Sequence, residues 1–177
     1  MPTVFAHAAV PLALGGGLGR RLVSTRLLAV GVVVAALPDL DVVTLRWGIP
    51  YSAALGHRGF SHSLLVAAVV ALIGAAGHRA LRSGLVGAFA FLFVSMASHG
   101  ALDAFTDGGL GVAFLWPGSM RRFFAPAAWR VIEVSPIGLG AFLPRAAVVL
   151  ASEARWVGLP ALALGLALAG ARRAMTR

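Results

Sequence analysis

Cysteine is absent from this 177-residue sequence, and so is lysine: all 15 basic residues are arginine. Without cysteine there is neither a disulfide framework nor a thiolate metal site, so any bound metal must rely on nitrogen and oxygen ligands. Charge is scarce too. Only 12% of the residues are charged, against roughly 25% in an ordinary soluble domain, and only six are acidic. Phosphate-cradling P-loop and Gly-x-Ser-x-Gly patterns are also missing, which argues against nucleotide-triphosphate and serine-hydrolase chemistry.

What is present is apolar: 59% of the chain is hydrophobic and its mean hydropathy is +0.90. Such a chain cannot hide its apolar surface in water. Apolar runs lie at 4–18, 27–45, 63–78, 84–105, 131–151 and 156–171, several of them shorter than the roughly 20 residues that cross a hydrocarbon core. They predict an all-α, polytopic transmembrane bundle of about four to six helices. No polar linker divides residues 1–177, so a single membrane-embedded domain is expected. The run from Val4 to Leu18 has no basic segment before it and contains His7 and Pro11, unlike a cleaved signal peptide. It is expected to be retained.

The arginines, net charge +9, fall mostly between the runs and read as membrane flanks. A nucleic-acid face would need a polar basic surface with stacking aromatics, which these runs leave little room for. Turn signals at Gly15-Gly16-Gly17, Trp47-Gly48-Ile49-Pro50, Arg79 to Gly84 and Thr106-Asp107-Gly108-Gly109 punctuate the chain. If runs two, three and four cross in turn, then Pro38–Asp41, His57–His62 and His99–Asp103 share one membrane face. The segment 106–130, with Trp116, Pro117, Arg121, Arg122, Phe123, Phe124 and Trp129, suits a lid at headgroup depth over that face. The opposite face would hold Arg20, Arg21, Arg26, Arg79 and Arg82 in short loops, and the polar-cluster face also carries Arg46, Arg58, Arg121 and Arg122, so positive-inside counting barely decides; the expectation is that the polar clusters face away from the cytoplasm.

Four of the five histidines and four of the six acids lie in or beside these junctions. An unpaired ionisable group at membrane depth costs at least about 2.5–3.5 kcal/mol on insertion scales, so a set this large calls for a cation. His99 and Asp103, at i and i+4, share one helical face within reach of one ion, although a helix-stabilising hydrogen bond would use the same spacing. His57 and His62 flank a glycine turn, with Ser61 expected to cap the following helix; the pair also suits interfacial histidines held by carbonyls. Asp39 and Asp41 end a run as hard oxygen donors, as second-shell partners of a histidine, or as solvated helix-end acids. His7 is the most isolated candidate, since a lone buried histidine is commonly a core residue. Arg58 offers a planar fork to a phosphate or a lipid headgroup.

Pro38-Asp39-Leu40-Asp41, His57-Arg58-Gly59-Phe60-Ser61-His62-Ser63 and Ser98-His99-Gly100-Ala101-Leu102-Asp103 together resemble the bacterial inner-membrane, metal-dependent hydrolase family typified by YdjM. The resemblance covers roughly residues 1–130, including His7 and Trp116-Pro117; hydrophobic helices at 131–177 carry no matching motif. It implies a presumed hydrolytic metal centre built from His7, Asp39, Asp41, His57, His62, His99 and Asp103. The expected cofactor is a divalent metal, zinc first, with manganese or iron open and one or two ions. The expected reaction is hydrolysis of a lipid-derived or other phosphoester at the membrane face. Asp41 or Asp103 would accept the proton, and Arg58, Arg121 and Arg122 would meet phosphate. Membrane lipids and a lipid or small-molecule substrate are the expected partners. A membrane metal-binding or ion-transport protein, and a polar network that glues helices without metal, are the alternatives.

Overall fold

The computed structural model describes residues 1–175. Among the described residues five helical segments make up the fold: α1 (Val4–Leu18), α2 (Thr25–Arg46), α3 (Leu64–Ala76), α4 (Leu85–Ala104) and α5 (Leu139–Met175). No strand occurs among the described residues; two isolated bridges, Thr106 to Ile132 and Val112 to Phe123, are the extent of β pairing. The all-α transmembrane bundle expected from the hydropathy is therefore what forms. α2, α4 and α5 are long and apolar enough to cross a membrane. α1, 15 residues, and α3, 13 residues, reach only about 20 Å at 1.5 Å per residue.

α2 packs on α4, α3 packs on α4, and α1 lies against α2, α4 and α5. Ala67, Ala71 and Ala75 recur every fourth residue on α3 and are buried, so this helix presents a smooth face to Leu92 and Met96 of α4. Without lipid-driven hydrophobic association, such small-residue faces let dispersion contacts hold helices together. Gly31 does the same between α2 and α4: a Cβ there would lie 2.4 Å from the Phe91 ring. The outward faces carry Val33, Leu72, Ile73 and Val86, each at least 60% exposed, where a water-soluble bundle would place charge.

Two local expectations are corrected. Runs 131–151 and 156–171 do not form separate helices. Residues 131–138 are non-helical, and α5 continues from Leu139 to Met175 through a π turn at Ala154–Gly158. Ser152, Glu153 and Arg155 interrupt the hydropathy, but none breaks a helix. The cap of α3 is Ser63, whose hydroxyl accepts from the Val66 N–H at 3.2 Å. Ser61 is turned inward to Asp41 instead.

A 3₁₀ stretch, Leu37–Val42, with Pro38 in its first turn, tightens the end of α2 and turns Asp39 toward α4 and Asp41 toward the 57–62 turn. The lid segment is stitched over the same end, with the Leu64 N–H donating to Phe114 O, Ala113 N–H to Arg58 O and Ala125 N–H to Ala104 O.

Candidate metal centre

Three chain segments far apart in sequence deliver side chains to one buried point, and a fourth adds a ring beside it. The end of α2 brings Asp39, the 3₁₀ turn Phe60–His62 brings His62, α4 brings His99 and Asp103, and α1 brings His7. One ligand atom from each of Asp39, His62, His99 and Asp103 lies within 4.8 Å of every other. His99 Nε2 is 3.1 Å from His62 Nε2 and 3.2 Å from Asp39 Oδ1. His62 Nε2 is 3.1 Å from Asp103 Oδ2.

The proton positions on these rings follow from their other partners. His99 Nδ1 lies 2.7 Å from the Ala35 carbonyl, and a carbonyl only accepts, so Nδ1 carries the hydrogen and Nε2 keeps its lone pair. His62 Nδ1 is 3.2 Å from Asp41 Oδ2 and 3.0 Å from the Ser61 hydroxyl, so Nδ1 is committed away from the centre and Nε2 is the atom turned toward it. The two Nε2 atoms face each other at 3.1 Å beside two carboxylates, an arrangement that calls for positive charge between them, a proton on His62 or a bound cation. In a tetrahedral shell with metal–nitrogen distances of about 2.0–2.1 Å, ligand atoms stand roughly 3.3 Å apart. The observed spacings and the all-nitrogen-and-oxygen donor set fit a divalent cation.

Asp41 stands behind the histidines. Its Oδ1 accepts from His57 Nδ1 at 2.5 Å, and its Oδ2 from the Ser61 hydroxyl at 2.5 Å and the Arg58 N–H at 3.2 Å. Both oxygens are thus committed to the 57–62 turn, the arrangement by which a carboxylate orients and raises the basicity of ligating imidazoles. A second group of potential ligand atoms, Asp41, His57 and His62, reflects this carboxylate between two rings. His57 Nε2 is buried with no hydrogen-bond partner among the described residues.

His7 is fully buried, and its ring stacks on His99 with centroids 3.6 Å apart and planes 10° apart. Its Nε2 is 3.8 Å from Asp39 Oδ2, and neither ring nitrogen has a hydrogen-bond partner among the described residues. Asp103 Oδ2 likewise receives no well-aligned hydrogen bond despite its nearness to His62. Buried polar atoms left without partners are costly, and metal ligation is one way to satisfy them.

His62 lies outside the spanning helices. Burial opposes its charged form, but the Asp103 and Asp41 carboxylates beside its two nitrogens outweigh that, raising its pKa from 6.5 to about 9. The cluster without an ion thus holds a proton where a cation would stand.

The three arginines diverge. Arg58 is fully buried, with Nη2 on Asp103 Oδ1 at 3.0 Å and Nη1 on the carbonyls of Asp103 and Gly108. It anchors one oxygen of Asp103 and leaves the other turned to His62. Gly109, at φ +89°, makes room for it, since a Cβ there would sit 2.7 Å from Arg58 Nη1. Arg122 donates to the carbonyls of His57, Gly111, Tyr51 and Ala53, clamping the lid to the 57–62 turn. Arg121 is exposed, with its guanidinium over the Phe123 ring at 5.3 Å. Sequence reasoning missed Ser61 and the Ala35 carbonyl as orienting groups; a serine beside a histidine and a backbone oxygen give no sequence signal. His78 and Asp107 lie outside the cluster, bonded to Ser83 O and the Val134 N–H.

A family model described as YdjM inner membrane protein matches residues 1–176. The chain is 48% identical over 166 residues to "Inner membrane protein YbcI" of Escherichia coli (strain K12), an alignment covering 93% of this chain and 95% of that one. No solved structure matches the chain.

Proposed function

The chain belongs to the YdjM inner membrane protein family, and on that premise we propose that it is a metal-dependent hydrolase whose cation, zinc first, is held by Asp39, His62, His99 and Asp103. The observation that carries this reading is the pair of inward Nε2 atoms of His62 and His99, 3.1 Å apart and flanked by two carboxylates. A network built only to glue helices would pair such atoms with donors, as Arg58 does for Asp103 Oδ1. It would not leave both nitrogens of His7 without partners.

A divalent cation there would polarise a phosphoryl oxygen and lower the pKa of water toward neutrality. The chain's own residues supply the rest. Asp41 holds the His57 Nδ1–H and leaves Nε2 as the proton-accepting atom, so Asp41 serves proton transfer through His57. Asp103, the other proton acceptor suggested by the sequence, is instead held by Arg58 and serves as a ligand. Arg58 fixes the Asp103 carboxylate and Arg122 fixes the lid, which leaves exposed Arg121 to meet a phosphate. Asp39, 13% exposed, is the ligand at the mouth of the site. A membrane-face mouth suits a lipid-derived phosphoester.

The test is hydrolysis of phosphatidic acid and of a soluble aryl phosphodiester by detergent-purified, zinc-, manganese- or iron-loaded protein. Wild type is expected to turn over at least one of them. His57→Gln is expected to lose about 100-fold or more in kcat while keeping its metal. A metal-loaded wild type inert toward both esters would leave a non-enzymatic metal-binding protein as the account.

A further inference from the structure

α5 carries one carboxylate within its apolar length. Glu153 is 5% exposed, and an acid buried within a spanning helix is costly unless it finds a partner. Its partner is Thr3, 150 residues away in sequence: Oε1 accepts from the Thr3 N–H at 2.5 Å and Oε2 from the Thr3 hydroxyl at 2.5 Å.

Thr3 is the N-cap residue of α1, yet its side chain caps nothing in its own helix, and the first turn of α1 holds no acid. Glu153 supplies from another helix the acceptor and the negative charge that this N-terminus lacks. The Thr3 carbonyl in turn accepts from the His7 N–H at 3.2 Å. One turn along α5, Val157 packs in a small buried cluster with Ala6 and Ile132. Two side chains of α5 therefore grip α1 just ahead of His7. His7 cannot anchor itself, because its ring has a stacking partner but no hydrogen-bond partner among the described residues. Where the ring sits depends on where α1 sits.

We propose that Glu153 is a positioning residue that holds the His7 imidazole in its stack on His99 and, through it, tunes the metal centre. Only the last link rests on the metal-site reading given above. It also gives α5, in which the sequence shows no motif, a part in the site.

The experiment has two readouts. Metal-free protein labelled with ¹⁵N-histidine is compared by NMR in detergent as wild type, Glu153→Ala, Glu153→Gln and Thr3→Val, with His78 as the internal reference. Co²⁺ affinity is then measured for wild type, Glu153→Ala, His7→Ala and the Glu153→Ala/His7→Ala double variant. Glu153→Ala is expected to shift and broaden the His7 and His99 resonances while His78 stays in place, and Thr3→Val to give a smaller shift of the same sign. Glu153→Gln, which can accept the Thr3 N–H and donate to Thr3 Oγ1, is expected to restore the wild-type pattern. Co²⁺ affinity should fall about 10- to 100-fold in Glu153→Ala, with little further loss once His7 is already alanine. Unchanged His7 resonances in Glu153→Ala, or an equal affinity loss with and without His7, would overturn the proposal. If wild type binds no Co²⁺ while His7 still responds to Glu153→Ala, the metal reading fails and the positioning role stands.

Discussion

At the scale of single residues, the centre is organised by which nitrogen of each imidazole is occupied. Ala35 O and Asp41 take the Nδ1 atoms of His99, His57 and His62, so the Nε2 atoms are the ones left to act. In the absence of an ion, His62 keeps its proton to about pH 9, against 6.5 for an unperturbed ring, because Asp103 and Asp41 outweigh the opposing burial. A raised folded-state value means that the stabilisation is full below about pH 6.5 and fades as pH rises toward 9. Metal-free wild type should therefore lose thermal stability between pH 6.5 and 9.5 relative to His62→Gln, measured as the difference in Tm across that range. Zinc should reverse the trend, since the ion must displace the proton from Nε2 and binds better as pH rises. A pH-independent Tm difference between the two proteins would remove His62 from this role.

At the scale of elements, the legible part of the sequence was the part that repeats a physical rule. The runs at 4–18 and 84–105 reappear almost residue for residue as α1 and α4, because length and hydropathy alone set them. The i, i+4 spacing of His99 and Asp103 was legible for the same reason: both side chains leave one helical face, their ligand atoms 3.8 Å apart. The continuity of α5 was not legible, because polar residues at 152–155 look like a boundary to hydropathy while remaining good helix formers. The division of labour among acids and arginines was hidden as well. Asp39 and Asp41 are one residue apart and look equivalent, yet the 3₁₀ turn sends one to the centre and the other behind it. Arg58 reads as a phosphate fork until its guanidinium is seen spent on Asp103 and two carbonyls. Element packing also makes a prediction. Gly31 lets α2 approach α4, and these two helices bring Asp39 to His99. Gly31→Val must displace the Phe91 ring, 2.4 Å from the new Cβ. It should cost about 1–3 kcal/mol of stability, as overpacking does, and weaken zinc binding, read by unfolding in detergent and by chelator competition. Wild-type affinity in this variant would show that the α2–α4 distance does not control the centre.

At the scale of the whole molecule, arginines flank both ends of the bundle. Arg20, Arg21, Arg79 and Arg82 lie exposed in short connections, and Arg26 in the first turn of α2, at the end of the bundle away from the His and Asp cluster, while Arg46, Arg58, Arg121 and Arg122 stand on the cluster side. We propose that the end with the short connections is cytoplasmic and that the centre faces outward from the inner membrane, since positive-inside counting weighs short connections most. The absence of cysteine gives a clean background for checking this. A cysteine placed at exposed Gly118 in the lid should react with a membrane-impermeant maleimide from the periplasmic side, and one placed at Arg82 should not. The reverse labelling pattern would invert the topology and put the substrate in the cytoplasmic leaflet.

The central claim is that Asp39, His62, His99 and Asp103 are one metal-binding unit. Elemental analysis of the detergent-purified protein, beside a folded His99→Ala/Asp103→Ala variant, tests it directly. One or two tightly held equivalents of zinc, manganese or iron in wild type, lost in the variant, are the expected result. A wild type that holds none of the three after reconstitution, with a variant that is merely less stable, would contradict the claim and leave a polar network joining helices.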